Sequence, residues 1–138
     1  MPTWAYDSYC NDNVMEYVED FTKEEFLNRI VEDLDEYLKE GMETFNLEFI
    51  VGIGIYAIRL GKKFPKKSLI LLRNVIECLL ERNDFSSWVD QDKRIAKLGH
   101  EKKIMDNLLI DRSFSFDVLK KKPILFNSLN KNYYNYSQ

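Results

Sequence analysis

The sequence predicts an all-α protein: a compact bundle of five or six helices, with an irregular aromatic N-terminal arm and an extended, docked C-terminal tail. Three observations carry that expectation. Glycine and proline number only 5 and 3 among 138 residues, too few for a turn-rich sandwich. Apolar residues recur at spacings of three and four in several segments. Helix start and stop residues stand at the borders of those segments.

A chain of 138 residues with 45% apolar side chains has the size and the material for one domain with its own core. The expected organisation is a single helical domain over 1–138, with a core over 1–110 and an extension over 111–138. The N-terminus Met1-Pro2-Thr3-Trp4-Ala5-Tyr6-Asp7 has neither a positive n-region nor an apolar h-region, so no secretory signal is read there. The longest apolar run, Phe49 to Ile58, falls well short of the roughly 20 residues that span a bilayer. Cys10 and Cys78 sit in no CxxC or zinc pattern, and read as two reduced thiols. A cytosolic location is the expectation these features share.

Residues 1–11 read as an arm rich in aromatics, with Trp4, Tyr6 and Tyr9. Asn11 or Asp12 can cap a short helix over 12–20, with Val14, Tyr17 and Val18 on one side. Thr22-Lys23-Glu24-Glu25 is a capping box. The threonine hydroxyl accepts from the glutamate N–H, and the glutamate carboxylate accepts from the threonine N–H. Phe26, Leu27, Ile30, Val31, Leu34, Tyr37 and Leu38 then form one apolar stripe, and Gly41 stops the helix.

Residues 44–60 are apolar almost all round. The β-branched content favours a buried strand, while length and flanks favour a central helix, which is the preferred reading. Gly52 and Gly54 each cost a helix about 1 kcal/mol, which close approach of a neighbouring element can offset. After the basic turn Lys62-Lys63-Phe64-Pro65-Lys66-Lys67, a helix is expected over 67–82, with Leu69, Leu72, Val75, Ile76, Leu79 and Leu80 inward. Another is expected from about Ser86, carrying Trp88, Val89, Ile95 and Leu98. It continues or restarts through Ile104, Met105, Leu108 and Leu109, with a possible kink at Gly99. Beyond Phe114, the apolar Ile124, Leu125 and Phe126 suggest a tail that docks on the body.

The net charge of -3 hides an asymmetry. Residues 1–50 carry fourteen carboxylates against Lys23, Arg29 and Lys39; the remainder is strongly basic. Such a dipole steers partners and says nothing about fold.

Met1, Trp4, Tyr9, Asn11 and Asp12, followed by Glu16-Tyr17 and Asp20-Phe21, make a pattern. It resembles the opening of a widespread bacterial family of small helical proteins of unknown function. Ala5 stands where that family usually has glycine. Trp88, Asp90 and Arg94, with Leu98 and Leu108 following, resemble the family's late tryptophan-centred helix. The resemblance implies no established activity. Some similar small proteins are thought to be immunity proteins encoded beside toxins, and the resemblance therefore implies a protein partner.

For catalysis, His100 is the sole histidine and lies in a charged stretch, with no nucleophile singled out near it. Gly52-x-Gly54 lacks the third glycine of a phosphate-binding loop. Neither a catalytic residue nor a cofactor is expected. The favoured function is non-enzymatic: binding of a basic partner, such as a nuclease toxin's effector domain, through the acidic residues Glu32, Asp33, Asp35, Glu36, Glu40 and Glu43. Tyr37 beside them suits an anchor, although its stripe position favours the core. The alternative is a magnesium-dependent nucleotide pyrophosphohydrolase-like enzyme, because Glu16-x-x-Glu19 and Glu32-x-x-Asp35 resemble the metal signature of those helical enzymes. Lys62, Lys63, Lys66, Lys67 and Lys120 to Lys122, with Tyr133, Tyr134 and Tyr136, offer a weaker nucleic-acid reading.

Overall fold

Thr22 makes the expected capping box: Glu25 N–H donates to Thr22 Oγ1 at 3.2 Å, and Thr22 N–H donates to Glu25 Oε1 at 3.0 Å. This fixes the start of the second of five helices in the computed structural model, which describes residues 8–9 and 12–111. They are α1 (Asp12–Glu19), α2 (Lys23–Glu40), α3 (Thr44–Arg59), α4 (Lys66–Arg82) and α5 (Gln91–Ile110). No strand occurs among the described residues, so the protein is all-α. The arm before Ser8 and the tail after Asp111, with its expected docking residues Ile124, Leu125 and Phe126, lie outside the described residues.

α3 is the central element, as its all-round apolar pattern requires. Every residue from Ile50 to Leu60 is buried. The choice between strand and helix is settled by its neighbours, since α2, α4 and α1 all pack on it. Gly52 and Gly54 are the close-approach points. A Cβ on Gly52 would stand 2.6 Å from the Ser8 carbonyl oxygen, and one on Gly54 would stand 2.5 Å from a Leu72 methyl of α4. Here tight packing outweighs helix propensity.

The turn between α2 and α3 is closed by a side chain. Asn46 Nδ2 donates to the carbonyls of Tyr37 at 2.8 Å and Gly41 at 2.7 Å. These are carbonyls that the end of α2 would otherwise leave without a partner. α4 and α5 run antiparallel. Lys102 reaches Glu77 at 3.2 Å, and Arg73 pairs with Asp106, so residue numbers rise on one helix as they fall on the other.

α5 starts later than the sequence suggests. Asp90 is its N-cap, accepting from Lys93 N–H at 3.1 Å, and residues 86–89 form a turn and a bend before it. That turn buries Trp88 and leaves Val89 67% exposed. Gly99 does not interrupt α5. The core is one continuous cluster from Tyr9 to Leu108. Each Leu or Ile fully buried in it contributes about 1.5–3 kcal/mol.

Candidate functional site

The least expected group in the molecule is Arg94, one turn into α5 and 0% exposed. Nη2 donates to Glu48 Oε2 of α3 at 2.7 Å and to Ser8 Oγ at 2.8 Å. Nη1 donates to Glu101 Oε1 at 3.4 Å, and the guanidinium lies 4.4 Å from the Trp88 ring centroid. Glu101 in turn holds the N-terminal turn, accepting from Ser8 Oγ at 2.6 Å and from Ser8 N–H at 3.1 Å. Isolated buried charges cost several kcal/mol each, so a cluster like this persists only where hydrogen bonds are nearly complete. One guanidinium faces two carboxylates. Glu48 Oε1 is buried with no hydrogen-bond partner among the described residues.

Glu48 and Trp88 also line a solvent-open cleft of about 430 Å³. Asp12 at the start of α1, Phe45 in the first turn of α3, and Asp84 and Ser86 in the α4–α5 connection complete its walls. Phe45 is 67% exposed. The cleft lies at the end of the bundle where α3 begins and α4 stops. Arg82 Nη1 donates to Thr44 Oγ1 across that end at 3.5 Å. Glu40 and Glu43 lie in the adjoining α2–α3 corner and are exposed. The lysines of the α3–α4 turn, Lys62, Lys63, Lys66 and Lys67, belong to the opposite end.

The expected acidic face is only partly a face. Glu32, Glu36, Glu40 and Glu43 are exposed, and Asp35 is half-buried. Asp33 is a correction: it is buried at 8% exposure, accepts a hydrogen bond from the Tyr17 hydroxyl of α1, and lies 3.6 Å from Arg29 Nε. The apolar stripe on α2 is wide enough to bring position 33 against α1, and a polar residue there must be paired. Burial, then the hydrogen bond and charge of Asp33, push the Tyr17 hydroxyl far above its usual value. Tyr37 is shifted up as well, by burial first and then by Asp33 and Glu40. Tyr37 packs edge-on against Tyr17 and Phe49, so the core claims it.

The alternative metal set does not assemble. Glu16, Glu19 and Glu32 point to solvent, and Asp35 is half-buried. Among the described residues no group of three or more His, Cys, Asp or Glu side chains is close enough to hold a metal ion. The pattern follows from how often acids recur in this segment. His100 is half-buried on α5, beside Glu101. Among the described residues no helix is long and apolar enough to cross a membrane.

The spacing of the sequence could not reveal the Arg94 cluster, whose members lie up to 93 residues apart. One signal was present: Glu48 is the only charged residue between Glu43 and Arg59, inside an apolar run, and a charge there demands a partner. No family model matches this chain, and neither a curated protein nor a solved structure does.

Proposed function

We propose that this chain is a non-enzymatic protein-binding module of the immunity-protein kind, which neutralises a basic toxin effector domain by seating it on the acidic end of the bundle. The observation that carries this reading is Phe45, a large aromatic ring 67% exposed on the wall of a cleft that Asp12, Asp84 and Glu48 also line. Exposed aromatics flanked by charge are what binding energy concentrates on. The carboxylates supply steering toward a basic surface and selectivity against acidic ones. Of the acidic residues read from the sequence, Glu40 and Glu43 adjoin this cleft and belong to the docking surface. Glu32, Asp35 and Glu36 extend it along α2 as a solvated rim that contributes mainly to the rate of encounter.

The test is association with a basic toxin domain encoded beside this chain, measured calorimetrically at two salt concentrations. Tight binding that weakens with salt and falls on Phe45→Ala or on Glu40→Lys with Glu43→Lys is the expected result. Binding that none of these changes alters would overturn the reading.

A further inference from the structure

α3 places Phe45 and Glu48 one turn apart, and both line the cleft at this end of the bundle. Glu48 is buried at 8% exposure, and its two oxygens differ. Oε2 accepts from Arg94 Nη2 at 2.7 Å, whereas Oε1 is buried with no hydrogen-bond partner among the described residues. A buried acceptor left without a donor is costly, and folded chains tolerate few of them. We propose that the cleft is a subsite for one arginine side chain of the docking partner, with Glu48 Oε1 accepting from its guanidinium beside Phe45 and Trp88. The proposal deepens the docking reading, on which it rests for the source of the arginine.

Three observations select a guanidinium. The first is charge. Asp12, Glu48 and Asp84 line the cleft, and no lysine or arginine does. Arg82 stands on the rim, donating to Thr44 at 3.5 Å. The helix starts at Asp12 and Thr44 each bring about half a positive charge, less than the full charge of any one carboxylate, so the lining suits a cation and not an anion.

The second is the pair of rings. Phe45 is 67% exposed, and Trp88 lines the same cleft. A guanidinium is planar and stacks on aromatic faces, which an ammonium does not match. The chain already uses this chemistry internally: Arg94 lies 4.4 Å from the Trp88 ring centroid while it donates to Glu48.

The third is hydration. Only 11% of the Glu48 side chain is open, so a donor must shed its water to reach it. Guanidinium is more weakly hydrated than ammonium and does so at lower cost. The last torsion of a glutamate is soft, so a slight turn of the carboxylate brings Oε1 toward the cleft while Oε2 stays on Arg94. At about 430 Å³ the cleft has room for one long side chain.

The experiment titrates blocked tripeptides, acetyl-Gly-X-Gly-amide, into the full chain and follows the Trp88 indole N–H by NMR, with Trp4→Phe assigning the other indole. With X as arginine, a saturable shift with a Kd of about 1 mM is expected, as suits a single side chain. The lysine peptide is expected to bind several-fold more weakly, and the neutral citrulline peptide not to bind. Asp12→Asn with Asp84→Asn, two exposed positions, is expected to weaken the arginine peptide at least about fivefold at unchanged melting temperature. Glu48→Gln is expected to abolish binding in a chain that still melts cooperatively. No saturable shift up to about 20 mM arginine peptide overturns the proposal. So does equal binding of the citrulline peptide, or tighter binding of free arginine than of the blocked peptide, which would make the cleft a small-molecule site. Toxin association without any peptide shift would sink this subsite and leave the docking reading standing. Peptide binding without toxin association would keep the guanidinium site and sink that reading.

Discussion

Gly52 of α3 and the Ser8 carbonyl are in direct apposition, and the missing side chain is what lets the N-terminal turn reach Arg94 and Glu101. A Cβ at position 52 would also run into the Val14 side chain of α1. Backbone cannot yield as a flexible side-chain tip does. Gly52→Ala is therefore expected to destabilise by about 1–3 kcal/mol, despite alanine's higher helix propensity. Gly99→Ala is the control: nothing lies within 4 Å of its added Cβ, and it sits inside α5. It is expected to stabilise by about 0.5–1 kcal/mol. Urea denaturation of both variants checks the pair, and destabilisation of the two alike would mean that Ser8 does not seat on α3.

Removing Arg94 strands two buried carboxylates. Arg94→Ala is expected to cost about 3–5 kcal/mol, because Glu48 and Glu101 lose their shared counter-charge while both remain buried. Arg94→Lys keeps the charge and loses the fork that spans Ser8, Glu48 and Glu101, so it should recover only part. The triple change Arg94→Met, Glu48→Gln, Glu101→Gln should be milder than Arg94→Ala alone, since it removes the charges together. Thermal unfolding of the three variants reads the order directly. An Arg94→Ala variant as stable as the parent would show the cluster to be solvated.

Where the sequence was legible, the physics was local. Thr22 and Glu25 cap α2 because both partners of each bond lie within one turn, and the apolar stripe from Phe26 to Leu34 needed only the helical period. α3 was legible in its length but not in its packing, since which elements crowd Gly52 and Gly54 depends on the whole bundle. The late start of α5 was missed because Ser86 can cap a helix as well as Asp90 can. Burial of Trp88, a tertiary effect, holds the intervening residues in a turn. Asp33 was misplaced for a related reason. The periodicity marks the stripe's centre, but its width is set by the neighbour, and α1 with Tyr17 reaches further round α2 than a surface helix would. The Arg94 cluster was illegible because its four residues belong to three separate segments.

The Tyr17–Asp33 hydrogen bond gives a pH signature. Burial and the adjacent carboxylate raise the Tyr17 pKa in the folded state, so its neutral form is favoured by folding. That contribution is complete below the unfolded value of 10.0 and is lost as pH rises above it toward the folded value. Tyr17→Phe should lower stability by about 1–3 kcal/mol at neutral pH, because Asp33 loses a buried donor and keeps only Arg29. The deficit should narrow above pH 10, where the parent sheds its advantage. A deficit that stays constant through that range would show that the hydroxyl does not report on Asp33.

At the capping box the sign is opposite. Hydrogen bonds from Thr22 hold the Glu25 carboxyl below its ordinary value of 4.5. Its contribution is present above that value and disappears as pH falls through the lowered one. Helix content of α2, followed by hydrogen exchange in its first turn, should therefore loosen on acidification in the parent but not in Glu25→Gln, which keeps a neutral acceptor at all pH values. Equal loosening in both chains would trace it to another carboxylate.

Phe45 and Phe49 share α3, one turn apart, with opposite fates, and they separate binding from stability. Phe49 is half-buried and packs edge-on against Tyr17 and Tyr37, with ring centroids at 5.6 and 4.9 Å. Phe49→Ala should cost about 3 kcal/mol or more, since it empties a packed aromatic site. Phe45 is 67% exposed and contributes little to the fold, so Phe45→Ala should change stability by no more than about 0.5 kcal/mol. If Phe45 is the anchor for a partner, that same substitution should cost the complex about 2 kcal/mol or more, a roughly thirtyfold loss of affinity at unchanged melting temperature. Calorimetry on the complex and on the free chain measures the two quantities separately. A Phe45→Ala chain that unfolds early would place the ring in the fold's own packing and remove it from the docking surface.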